Sequence, residues 1–169
     1  FYGSPGCGVY NQGKLIAFHS RLNHNRNASE GTAIYNADSL WMYHCSLDSN
    51  ESVVTAACGG ALSSAKFTRL FNCSLQHNKA SILGGAAWNK ASSYMETDSC
   101  QISYNQCYNA GNGSGGGLYN DGQLILYNTS LLHNQSKLDG GGLCNSLSGT
   151  ANLDDCVVAF NIAAGGNSV

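Results

Sequence analysis

The stretch Gly115-Gly116-Gly117-Leu118-Tyr119-Asn120 recurs along the chain with little change in chemistry. Its relatives are Gly6-Cys7-Gly8-Val9-Tyr10-Asn11, Gly31-Thr32-Ala33-Ile34-Tyr35-Asn36, Gly59-Gly60-Ala61-Leu62-Ser63-Ser64, Gly84-Gly85-Ala86-Ala87-Trp88-Asn89 and Gly140-Gly141-Gly142-Leu143-Cys144-Asn145. The first glycines fall at 6, 31, 59, 84, 115 and 140, and Gly165-Gly166 begins a partial seventh unit. Successive intervals are 25, 28, 25, 31, 25 and 25 residues. A period in this range means one structural unit stacked on copies of itself.

The second half of each unit repeats as well. An aliphatic residue precedes an Asn by three positions in Leu22/Asn25, Leu47/Asn50, Leu75/Asn78, Ile102/Asn105, Leu131/Asn134 and Val158/Asn161. Two positions before that aliphatic residue stand Ser20, Cys45, Cys73, Cys100, Thr129 and Cys156. Further upstream, pairs such as Leu40/Met42 and Leu124/Leu126 are spaced by two, which is strand chemistry because alternate side chains share a face. Recurrent Gly and the lack of helical spacing exclude long helices. The expectation is an all-β parallel solenoid, a single domain over residues 1–169, with three short strands per turn and about six turns. Extra residues fall between Asn50 and Gly59 and between Asn105 and Gly115, at bends, where they leave strand register intact.

Stacked turns convert the repeat into columns about 4.8 Å apart per turn. Val9, Ile34, Leu62, Ala87, Leu118 and Leu143 form one inward column, and Leu22 through Val158 another. Two Asn columns, Asn11 to Asn145 (interrupted by Ser64) and Asn25 to Asn161, fall at bends, where stacked carboxamides satisfy turn backbone. Cys45, Cys73 and Cys100 share a column on neighbouring turns. They are placed either for a disulfide or as packed thiols, and Cys7, Cys58, Cys107, Cys144 and Cys156 complete the disulfide candidates. His19 and His44 share one outer column, and His24, His77 and His133 another, as polar surface at bends.

Charged residues make up 11% of the chain and the net charge is -2, which excludes a basic nucleic-acid surface. No apolar run reaches the ~18 residues of a membrane span. Eight cysteines and six Asn-x-Ser/Thr sequons indicate a secreted, extracellular or cell-surface protein, from which a leader has been removed. Asn50 and Asn134 are at once column members and sequon residues, so they are either unmodified or out of the column. Covalent N-glycans are assigned instead to Asn27, Asn72, Asn112 and Asn128. No metal site is expected, since Cys-x-x-Cys and His-x-His spacings are missing. No cofactor and no catalytic residues are expected either: Asp154-Asp155 is the only carboxylate pair, and neighbouring strand residues face opposite ways.

The Gly59-Gly60-Ala61-Leu62 and Gly84-Gly85-Ala86-Ala87 elements, with Leu75-Gln76-His77-Asn78 in the second half, resemble the GGA[ILV]/FxxN repeat of polymorphic outer membrane proteins. Leu stands where that repeat has Phe. The resemblance implies a right-handed parallel β-helix of the pectin-lyase-like kind, found in surface adhesins, autotransporter passengers and secreted proteins. The clustered Asp, Lys and Arg of that fold's polysaccharide enzymes have no counterpart here. Open solenoid ends are sticky edges, so the expected function is structural: head-to-tail self-association into an extracellular filament. The alternative is a surface adhesin or a carbohydrate-binding module of a larger secreted protein. In that reading Tyr10, Tyr35, Trp88 and Tyr119 form an aromatic stripe for stacking extracellular glycans.

Overall fold

The computed structural model describes residues 8–27, 30–54, 56–109 and 111–165. The chain coils into a parallel β-solenoid of about six turns, and no helix occurs among the described residues. Sheet A holds the glycine-hexapeptide strands Val9–Asn11, Ile34–Asn36, Leu62–Ser64, Ala87–Asn89, Leu118–Asn120 and Leu143–Asn145. Sheet B holds the longest strands, Lys14–Phe18, Ser39–Tyr43, Phe67–Phe71, Tyr94–Asp98, Gln123–Tyr127 and Thr150–Asp154. Sheet C holds Ser74–Gln76, Gln101–Ser103, Ser130–Leu132 and Val157–Ala159, extended by bridges from Arg21 to Ser46 to Ser74. To these three ladders the structure adds a fourth, sheet D, of two-residue strands running from Arg26–Asn27 to Ile162–Ala163. Its residues follow the ladder Asn directly, in a stretch where two residues are too few to show a period.

Every strand pair is parallel, and the register matches residues one period apart, as in Leu118↔Leu143 and Leu124↔Ala151. The inserted residues lie in bends, so the columns survive. Ile34, Leu62, Ala87 and Leu118 line one inner wall, Leu47, Leu75, Ile102 and Leu131 another, and Leu40, Met42, Leu70, Met95, Leu124 and Leu126 the third, all essentially inaccessible.

Each turn bends at backbone of positive φ. One corner uses Gly31, Gly59, Gly84, Gly115 and Gly140. The other two use non-glycine columns: His19, His44, Asn72, Ser99, Asn128 and Asp155, then His24, Ser49, His77, Tyr104, His133 and Phe160. Asn, Asp and His tolerate this region best among residues with a Cβ, which accounts for the two histidine columns. The fourth corner is held by side chains. Asn11 Nδ2 donates to Asn36 Oδ1 at 2.7 Å, and the series Asn89, Asn120 and Asn145 repeats that link at 2.7 Å. Where Ser64 replaces Asn, inward Thr68 takes over: its hydroxyl lies 3.0 Å from Asn36 Nδ2 and 2.8 Å from Ser64 Oγ.

Candidate functional site

Along the solenoid the strand ladders and the Asn ladders bond each turn to the next, so open ladder groups collect at the two ends. At the first described turn Val9, Leu15, Ala17 and Leu22 are half-buried, although Ile34, Leu40, Met42 and Leu47 beneath them are sealed. At the last turn Val158 is 51% exposed and Leu153 41%, with Phe160 at 73% and Ile162 at 58%. The strands at both ends are ladder edges, each with one row of backbone donors and acceptors facing away from its neighbour.

These two faces differ in a directed way. In the second Asn ladder the backbone N–H and Nδ2 of each Asn both donate to Oδ1 of the Asn one turn later. The ladder therefore starts with an acceptor, Asn25 Oδ1, and finishes with donors, the N–H and one Nδ2 hydrogen of Asn161. The other Nδ2 hydrogen of Asn161 goes to Leu131 O at 2.8 Å. Charge is directed too: the first turn carries Lys14, Arg21 and Arg26 against Glu30, and the last, from Gly140 onward, carries Asp154 and Asp155 with no Lys or Arg. Asp154 and Asp155 are both exposed at the strand end and the corner after it, rather than on opposite faces of a strand as expected. Placing the first turn upon the last continues the inner columns with complementary sizes, Leu153 meeting Ala17 and Ala151 meeting Leu15. It also sets His24 after the stacked rings His77, Tyr104, His133 and Phe160, whose centroids are 5.2, 4.9 and 5.0 Å apart.

The aromatic stripe of sheet A is largely occupied. Tyr10 and Tyr35 stack at 5.5 Å, and Ser63 separates Tyr35 from Trp88 in the register. Lys90 Nζ reaches over that gap, 5.3 Å from the Tyr35 ring and 4.6 Å from the Trp88 ring, and pairs with Glu30 at 2.8 Å. Partial burial acts to lower the Lys90 pKa, and Glu30 outweighs it, holding the amine above its ordinary value. Trp88 Nε1 donates to Asp121 at 2.8 Å, and Tyr119 is half-buried. The cover comes from residues sixty positions apart, Glu30 and Lys90, which no spacing rule would link.

Among sequon residues, Asn72, Asn112 and Asn128 are exposed and Asn50 and Asn134 are fully buried. The Asn27 side chain and Cys7 lie outside the described residues, as do Gly6 and Gly166. The other seven cysteines are free thiols. Cys45, Cys73 and Cys100 form an inward stack in which Cys73 N–H donates to Cys100 Sγ at 3.4 Å. Cys107 is a buried sheet D residue rather than part of an inserted bend. No cluster of His, Cys, Asp or Glu suited to a metal occurs among the described residues.

Between sheets B and C an open polar groove of about 740 Å³ runs along the axis, lined by His19, His44, Asn72, Ser99, Gln101 and Asn128 among others. Beside it, the outer face of sheet B carries rings the sequence reading passed over: Phe18, Tyr43 and Phe71, then Trp41, Phe67 and Tyr94. Their alternate spacing on successive strands is the signal that could have found them. Comparison with protein families, curated proteins and solved structures finds no match.

Proposed function

We propose that this chain is a secreted, N-glycosylated structural protein without enzymatic activity, which assembles head to tail through the ends of its solenoid. The observation that carries this reading is the directed complementarity of the end turns: acceptor against donor, cations against carboxylates, and inner columns in register. A heterologous contact of this kind does not close on itself and yields a filament. A tail-to-tail contact would instead set Asp154 and Asp155 against their own copies. The likeness of the repeat to polymorphic outer membrane proteins supports a cell-surface or secreted setting.

Negative-stain microscopy and sedimentation velocity of the 169-residue chain test the reading. The expected result is rods far longer than the ~29 Å of six strand spacings, shortened by salt that screens the end charges. Val158→Glu, which puts a carboxylate into the mouth of the last turn, is expected to leave single particles with unchanged circular dichroism. Single particles from the unaltered chain at all concentrations would sink the proposal.

A second reading, a surface module that binds extracellular glycans, is favoured by the polar groove between sheets B and C. Retention on immobilised polysaccharide that is lost with Gln101→Ala and His44→Ala would support it.

A further inference from the structure

The outer face of sheet B, away from the ends, has its own unmet chemistry. Its middle column runs Ile16, Trp41, Arg69, Glu96, Ile125 and Asn152 from the first turn to the last. The flanking columns place Phe18, Tyr43, Phe67 and Phe71 in the first three turns and Tyr94, Asp98, Tyr127 and Asp154 in the last three. Ile16 is 44% exposed and Phe18 60%, and an open depression lined by Lys14, Ile16, Phe18, Trp41 and Tyr43 runs across them. The face is therefore aromatic and basic in one half, and acidic with the two tyrosines Tyr94 and Tyr127 in the other.

We infer that this face pairs with the same face of a second copy, around a two-fold axis parallel to the strands, with the solenoid axes antiparallel. Such an operation keeps position along the strand and exchanges first turn for sixth, second for fifth and third for fourth. Arg69 then meets Glu96 of the second copy, Trp41 meets Ile125, Tyr43 meets Tyr127 and Phe67 meets Tyr94, each contact occurring twice. Arg69 Nε already pairs with Glu96 at 2.9 Å within one copy, so the four charges of the dimer alternate in sign around a square. Phe18 and Phe71 meet Asp154 and Asp98. Phe18 stacks on Tyr43 along the axis at 4.9 Å, so it presents its positive edge outward to Asp154.

The other two-fold that brings the faces together runs parallel to the solenoid axis, and it sets Arg69 against Arg69 and Glu96 against Glu96. Like charges directly opposed in a desolvated interface are excluded by cost, so the middle column selects the antiparallel form. Five residues at ~3.3 Å and six strands at ~4.8 Å give about 500 Å² per copy, near the ~1,000 Å² total of the smallest specific interfaces. Face-to-face packing of sheets with strands aligned is the favoured geometry. This pairing is independent of the end-to-end contact, and together the two would bundle filaments side by side.

Sedimentation equilibrium on the full chain carrying Val158→Glu, which stops growth at the ends, tests the inference. The expected species are monomer and dimer only. Trp41→Glu is expected to weaken the dimer at least tenfold. Adding Ile125→Arg is expected to restore it, because the introduced carboxylate of one copy then faces the introduced guanidinium of the other. Within one copy those positions are three turns apart, about 14 Å, so rescue cannot arise inside a single molecule. If Val158→Glu loses its β-sheet circular dichroism, Val157→Lys, in line with Arg21 of the next copy, replaces it as the block. A chain that stays monomeric at sub-millimolar concentration overturns the inference. So does a dimer indifferent to Trp41→Glu, or one not rescued by Ile125→Arg. Filaments that persist in Trp41→Glu with the ends unblocked would separate its failure from that of end-to-end assembly.

Discussion

Asn105 Oδ1 accepts two hydrogen bonds from Asn78, from its backbone N–H at 2.9 Å and from its Nδ2 at 3.0 Å. The remaining Nδ2 hydrogen of Asn78 goes to Leu47 O at 2.7 Å, and its own Oδ1 accepts the same pair from Asn50. Asn50, Asn78, Asn105 and Asn134 therefore each use both donors and the acceptor of the carboxamide on the turns above and below, with zero accessibility for Asn50, Asn78 and Asn134.

Asn78→Ala removes the carboxamide and leaves the N–H and one Nδ2 hydrogen of Asn50, together with Leu47 O, buried without bonds, while Asn105 Oδ1 keeps only the backbone N–H of residue 78. At ~1–3 kcal/mol for each unsatisfied group, with relaxation recovering part, a loss of about 3–5 kcal/mol is expected. Denaturant unfolding of Asn78→Ala against the unaltered chain measures it. A loss below about 1 kcal/mol would show that the column is decorative.

Gly85 is held by proximity. A Cβ built there would lie 2.0 Å from Gly116 O of the next turn and 2.7 Å from Gln106 N later in its own turn, both backbone atoms. Neither can move without breaking sheet register, so Gly85→Ala is expected to cost at least ~3 kcal/mol, the upper range for overpacking. Gly13→Ala, with nothing within 4 Å of its Cβ, is the control and should change the unfolding midpoint little.

Burial, and then the Glu30 carboxylate, push the Cys58 thiol from its ordinary value of 9.0 to about 11. Burial raises Cys107 further still, and the hydrogen bond with Cys73 followed by burial raises Cys100. A thiol raised on folding binds its proton more tightly in the native chain, so its stabilising contribution is complete below pH 9. It is lost as pH rises to about 11, roughly 3 kcal/mol for Cys58. Unfolding at pH 8 and pH 11 should show that loss, and Cys58→Ala should reduce it. A flat stability profile over that interval would refute the assignment.

Glycosylation replaces one hydrogen of Nδ2. In Asn50 both are engaged, with Leu22 O at 2.9 Å and Asn78 Oδ1 at 3.0 Å, and in Asn134 both go to Ile102 O and Asn161 Oδ1. Asn72 and Asn128 each spend one, on His44 and on Asp98, and both stand exposed at a corner. Glycopeptide mass spectrometry of chain from a secretory host should find sugar on Asn72, Asn112 and Asn128, and bare Asn50 and Asn134. Full occupancy at Asn50 would contradict its place in the ladder.

The 25-residue recurrence of the Gly hexapeptide and the spacing of two in Leu124/Leu126 were enough to determine a stacked parallel coil, its register and its inner columns. Translation along the axis turns a sequence period directly into neighbours, so these features need no tertiary information. What the period leaves open is decided between residues that share none. Lys90 and Glu30 close over Tyr35 and Trp88, Thr68 stands in for a missing Asn, and the two-residue strands of sheet D add a fourth ladder. The direction of the Asn25–Asn161 ladder likewise depends on where side-chain atoms point in space. A one-dimensional period determines which residues stack; only the folded coil decides which atoms meet.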